Sequence, residues 1–128
     1  MADQSPPAAA TAVFAGADTA PAARTTLQAM LAQVAGPFVA DATLLLDELL
    51  TDASRDGAVC RDLRLGVLAG PARLRIEVTR TEPARPVTGP SSPERGWGRL
   101  LLEDLASDWS SDTDGALATT WVELRLPG

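Results

Sequence analysis

The amino-acid sequence predicts an α+β fold: a two-layer α/β sandwich in which helices cover one face of a mainly antiparallel sheet. Three observations carry that expectation. Apolar residues recur at helical spacing between positions 19 and 55, then alternate with period two from 62 to 78 and again near the C-terminus. The element order is strand, helix, helix, strand, strand, long loop, helix, strand, without the strand–helix alternation that builds a parallel sheet. The 128 residues suit one domain, which can bury roughly two thirds of its unfolded surface in a single core.

Residues 1–10 (MADQSPPAAA) hold an acid where a targeting segment has positive charge, and they lack a leucine-rich stretch. They are expected to form a disordered lead-in, leaving 11–128 as a single domain. Thr11 to Phe14 reads as a short strand. Thr19 is a suitable N-cap, and Pro21 costs nothing in a first helical turn, where its missing N–H would be unpaired anyway. Ala23, Leu27, Met30, Leu31 and Val34 then share one helical face until Gly36-Pro37 ends the helix. The second helix is expected from about 38 to 55, with Phe38, Ala42, Leu45, Leu46, Leu49 and Ala53 as its apolar stripe and Gly57 as its stop.

Asp62-Leu63-Arg64-Leu65-Gly66-Val67 and Arg73-Leu74-Arg75-Ile76-Glu77-Val78 alternate polar with apolar, and Ala69-Gly70-Pro71-Ala72 between them is a turn. This is an antiparallel hairpin whose outer face carries Arg64, Arg73, Arg75 and Glu77, either as solvated cross-strand pairs or as a binding patch. From 81 to 94 four prolines and a glycine exclude regular structure. So long a loop in a compact domain reads as a lid or an insert, with 81–95 as its span. A third helix is expected to follow, with Leu102, Leu105, Ala106 and Trp109 along one side, and the final strand to run from 118 to 126.

Composition excludes whole classes of chemistry. There is no histidine and no lysine, so His-based triads, His-ligated metals, Schiff-base lysines and the P-loop lysine are absent. Cys60 is alone, which removes an intrachain disulfide and a cysteine-rich metal cage; it reads as a passive small residue. A cytoplasmic setting fits best. A net charge of −6 argues against nucleic acid as a partner, and no run approaches the ~20 apolar residues of a membrane span.

Polar residues in two places invite a functional reading. Asp41, Glu48, Asp52 and Arg55 project from one side of the second helix. Glu48 and Asp52 lie one turn apart and repel each other, which is relieved either by Arg55 or by a hard cation such as Mg²⁺ together with phosphate oxygens. Gly96-Trp97-Gly98, bracketed by Arg95 and Arg99, lets backbone N–H groups approach an anion at a helix start, or serves as a plain hinge. Of the other tryptophans, Trp109 is expected in the core. Trp121 falls on the more polar sheet face, where it covers a dimer or partner interface or packs at an edge.

These segments together resemble anti-sigma-factor serine/threonine kinases of the actinobacterial type, within the histidine-kinase-like (GHKL) ATPase superfamily. Leu44-Leu45-Leu46-Asp47-Glu48-Leu49-Leu50-Thr51-Asp52-Ala53-Ser54-Arg55-Asp56-Gly57 is similar to that family's Glu-Leu-Thr-Asn-Ala-x-Arg-His-Gly segment. Leu74 to Val78 resembles the strand before its adenine-contacting aspartate. Gly96 to Trp109 is similar to its lid-to-helix junction, and Thr120-Trp121-Val122-Glu123-Leu124 to its closing strand. The match covers about residues 11–126 in order.

The resemblance implies the histidine-kinase-like ATPase fold, ATP and Mg²⁺ as cofactors, and a sigma factor or an anti-sigma-factor antagonist protein as partner, with a homodimer common. It implies Glu48 as general base, Asp52 as metal ligand, Thr79 or Arg80 at the adenine position, and Gly96, Gly98 and Arg99 beside the phosphates. Asp52 replaces the family's asparagine, and Asp56 its histidine. Thr79-Arg80-Thr81-Glu82-Pro83 replaces the base-reading aspartate and the glycines after it. An arginine is a donor only and cannot accept the adenine amino proton. The expectation is therefore a regulatory protein with a degenerate ATP site acting through protein contact; the alternative is an active Mg²⁺-ATP-dependent serine/threonine kinase phosphorylating the antagonist.

Overall fold

The computed structural model describes residues 11–14, 19–53, 59–81 and 103–127. In chain order these form β1 (Thr11–Phe14), α1 (Thr19–Met30), α2 (Gly36–Ala53), β2 (Cys60–Leu68), β3 (Arg73–Thr81), β4 (Asp108–Asp114) and β5 (Leu117–Arg125). The strands make one antiparallel five-stranded sheet in the order β1-β2-β3-β5-β4. α1 packs on β1 and β2 and α2 on β3, so the helices form one layer over one face. The α+β sandwich expected from the sequence is thus present.

Alternation dictates which face is covered. Leu63 and Leu65 of β2, Leu74, Ile76 and Val78 of β3, and Val122 and Leu124 of β5 are buried, and register places them opposite one another: Leu65 with Ile76, Ile76 with Val122, Leu74 with Leu124. Against them the helices press Ala23, Leu27, Leu31, Ala42, Leu45, Leu46, Leu49 and Ala53, also buried. These are the stripes that helical spacing selected. α1 ends at Met30, earlier than the spacing suggested; Leu31 still enters the core from the turn that follows, its N–H bonded to Leu27 O at 3.0 Å. α2 starts at Gly36, with Pro37 in its first turn, where a missing N–H leaves no bond unmade.

The third helix requires correction. Helical structure is described for 103–105, and Trp109, expected on its apolar side, stands instead on β4. The spacing of Leu102, Leu105, Ala106 and Trp109 mimics a helix. The segment after Ser107 nevertheless alternates polar outward residues with Trp109, and Asp114-Gly115 supplies the tight turn a hairpin needs. Gly115 has φ +63°, the left-handed region that disfavours a side chain. Trp109 pairs with Val122 and packs against the core. It is partly buried against the core instead of within it, and it arrives there from the sheet.

Candidate functional site

Of the predicted site residues, the structure describes Glu48 and Asp52 on α2 and Thr79 and Arg80 near the end of β3. Only 54–59 separate Ala53 from β2, and Cys60 at the start of β2 pairs with Arg80 at the end of β3. A clamp closes this corner: Thr81 N–H donates to Val59 O at 2.9 Å, and Val59 N–H to Thr81 Oγ1 at 2.8 Å.

Glu48 is half-buried on α2, one turn before the exposed Asp52, and Asp41 is exposed. No side-chain hydrogen bond or ion pair joins Glu48 or Asp52 to another described residue. Arg55 of that helical side and the expected helix stop Gly57 lie outside the described residues, as do Gly96, Trp97, Gly98, Arg99 and the whole 82–102 stretch.

Register separates the two candidates for the adenine position. Thr79 pairs with Asp62 and Thr119 on the face turned away from the helices, and its hydroxyl is bonded to Thr119 Oγ1 at 3.1 Å. A nucleotide held under the helix layer could not reach it. Arg80 is opposite the buried Ala118, on the helix side, and carries donors only. For Mg²⁺, Asp52 offers one carboxylate, and no group of three acidic or cysteine side chains suited to a metal occurs among the described residues. Of the positions implied for ATP and Mg²⁺, the described ones thus offer the exposed Asp52 carboxylate, a Thr79 hydroxyl on the outer face and the donors of Arg80, and no step is derived through either group.

A groove of about 690 Å³ lies elsewhere, between the end of α1 and the first turns of α2, lined by Leu31, Val34, Val39, Thr43, Leu44 and Asp47 among others. At its rim Arg24 Nε meets Asp47 Oδ1 at 2.8 Å. Both partners are more than two-fifths exposed, so the pair contributes little to stability.

The outer sheet face holds the arrangement that the sequence pattern only half disclosed. Arg73, Arg75 and Glu77 point outward as expected, but their partner is Glu123 on β5. Arg73 Nε lies 3.0 Å from Glu123 Oε1, Arg75 Nη1 2.7 Å from Oε2, and Arg75 Nη2 3.2 Å from Glu77 Oε1. The Arg75 guanidinium also stacks on Trp121, 4.3 Å from the ring centroid. Burial by itself would lower the Arg75 pKa, but the hydrogen bonds to Glu123 and Glu77 outweigh it and hold the pKa above the usual arginine value. The available signal was the period-two placement of Trp121 and Glu123 on the polar side of β5; the strand order that puts β5 beside β3 was not legible.

Cys60 is 8% exposed, and burial, followed by the charge of Asp62, pushes its thiol pKa up. The folded chain holds this proton more tightly than the unfolded one. The thiol's contribution to stability is therefore full below the unfolded thiol's pKa and is lost as pH rises through the folded value. Alkylation at pH 8 is expected to be slow in the native protein and fast after denaturation; native labelling at the rate of a free thiol would contradict the burial.

No helix among the described residues is long and apolar enough to cross a membrane. No protein-family model matches the chain, and no curated protein matches it either.

Proposed function

We propose that this chain is a regulatory domain that works by protein contact, with the histidine-kinase-like ATPase arrangement and an eroded nucleotide site. The resemblance supplies its partner class: a sigma factor or an antagonist of an anti-sigma factor, met in the cytoplasm. The observation that supports the reading is the register of β3. It assigns Arg80 to the helix side of the strand that would read adenine and turns the Thr79 hydroxyl to the opposite face, bonded to Thr119. A base amino group needs an acceptor, and a guanidinium has none.

Thermal unfolding with and without millimolar Mg²⁺-ATP tests this. A bound ligand at a hundred times its Kd would add about 2.7 kcal/mol, a rise of several degrees. The expected result is no rise, in the natural chain and in Asp52→Ala alike. A clear rise that disappears in Asp52→Ala would replace this reading with that of a working kinase, in which Glu48 is the base and Asp52 the metal ligand.

A further inference from the structure

We infer that the groove between the end of α1 and the first turns of α2 is a docking site for an amphipathic helix of a partner protein, apolar along one ridge and basic along its flank. The inference rests on the reading of the chain as a domain that acts by protein contact, and it names the surface and the chemistry of that contact.

Residues 25–40 hold no charged side chain, although 22% of the whole chain is charged. They end α1, form the turn and begin α2. A helix lying on a sheet buries one side and ordinarily gives the other to charged and polar residues. Here Ala29, Ala32, Ala35 and Ala40 are exposed, and Val34 and Val39 are half-buried. Leu44, 47% exposed, continues the patch. Contiguous apolar surface with a polar rim marks an interaction site, and depletion of charge distinguishes the centre of an interface.

Shape narrows the occupant. On α2 the groove is lined by Gly36, Val39, Ala40, Thr43, Leu44 and Asp47. These are spaced by three and four, so the groove follows the helix axis for about three turns, or ~18 Å. Rows with that spacing are the ridges and grooves by which helices pack. A helix laid in such a groove presents apolar residues at i, i+3, i+4 and i+7.

Charge completes the identification. Among the described residues of α1, α2 and the turn between them, Arg24 is the one cation, against Asp41, Asp47, Glu48 and Asp52. Arg24 is taken by Asp47 at the rim. The other three acids project roughly 100–140° round α2 from Asp47, in a row beyond Leu44 on the flank away from α1. No side-chain hydrogen bond or ion pair joins any of them to another described residue. An apolar ridge seated in the groove brings its own flank over this row, where lysine or arginine is attracted and an acid is repelled.

The test uses a synthetic peptide of about 15 residues, near the length at which an isolated helix begins to form. It carries leucine at i, i+3, i+4 and i+7 and arginine on both flanks; a second peptide has glutamate in place of each arginine. Fluorescence anisotropy of the labelled peptides is read against the full chain, with circular dichroism confirming that each variant is folded. The arginine peptide is expected to bind with a Kd of roughly tens of micromolar, at least about tenfold more tightly than the glutamate peptide. Leu44→Gln and Leu44→Glu are each expected to weaken it about tenfold, the second although it adds negative charge. Asp41→Asn/Glu48→Gln is expected to weaken it about three- to tenfold, and less at high salt.

No binding, equal binding of the two peptides, or a Leu44→Glu chain that binds as tightly as the natural one would each overturn the inference. So would a natural dimer that Leu44→Glu turns into a monomer in sedimentation, since the groove would then hold a second copy. A rise in melting temperature with Mg²⁺-ATP would count against the proposed function and leave the peptide results as they are, so the two can fail separately.

Discussion

Replacing Ile76 by alanine is expected to destabilise the protein by about 2–5 kcal/mol, the usual range for truncating a buried branched side chain. Ile76 is fully buried in the central strand, flanked by Leu65 on β2 and Val122 on β5, themselves fully buried. Hydrogen-bonded ladders hold the backbone on both sides, so the surroundings cannot close over the space left behind. At roughly 3–5 °C per kcal/mol for a chain of this size, the melting temperature should fall by about 6–25 °C. Ile76→Val, which removes one methylene, should cost about 0.5–1.5 kcal/mol. Equal effects from the two substitutions would mean that the site is less tightly packed than its burial indicates.

The second large effect is expected at Glu123. This carboxylate, 14% exposed, accepts from both Arg73 and Arg75, and Arg125 stands one row beyond. Glu123→Gln keeps the shape and removes the charge, leaving three guanidinium groups near one another with Glu77, and Asp108 opposite position 123 on β4, as the described counter-charges. Hydrogen bonds to charged groups contribute about 1.5–3 kcal/mol; the arginines are about 30% exposed, so part of that is returned by water. A loss of about 1–2 kcal/mol is expected in denaturant titrations at one fixed protein concentration. In an Arg73→Gln/Arg75→Gln background the same substitution should cost much less, because the cycle isolates the pairing. Equal costs in the two backgrounds would show that Glu123 does not act through those arginines.

Period-two alternation found β2 and β3 and placed their inner and outer residues correctly, because one buried face imposes the pattern residue by residue. It failed at β4. There the strand buries little beyond Trp109, its other residues being Ser, Thr and Asp, so no apolar alternation exists to be read. The four apolar residues from Leu102 to Trp109 fit a helix by spacing, and Asp114-Gly115 was the overlooked sign of a hairpin. In the candidate site, Glu48 and Asp52 were placed on one side of α2 by helical geometry alone. The alternation of Leu74, Ile76 and Val78 carries on to put Arg80 on the helix side and Thr79 on the other, although no buried residue follows Val78 in the strand to repeat the pattern.

Local periodicity, then, was enough to establish an α+β chain, two core-facing helical stripes, an antiparallel hairpin and the absence of histidine and lysine chemistry. These follow from the residues one after another, since a side chain's direction repeats every 3.6 residues in a helix and every two in a strand. Strand order is non-local. That β5 inserts between β3 and β4, bringing Glu123 to Arg73 and Arg75 and Trp121 under a guanidinium, depends on contacts between residues about 50 apart in the chain. Those contacts arise when the sheet closes on a shared core, and so the tertiary structure alone set the charge pattern of its open face.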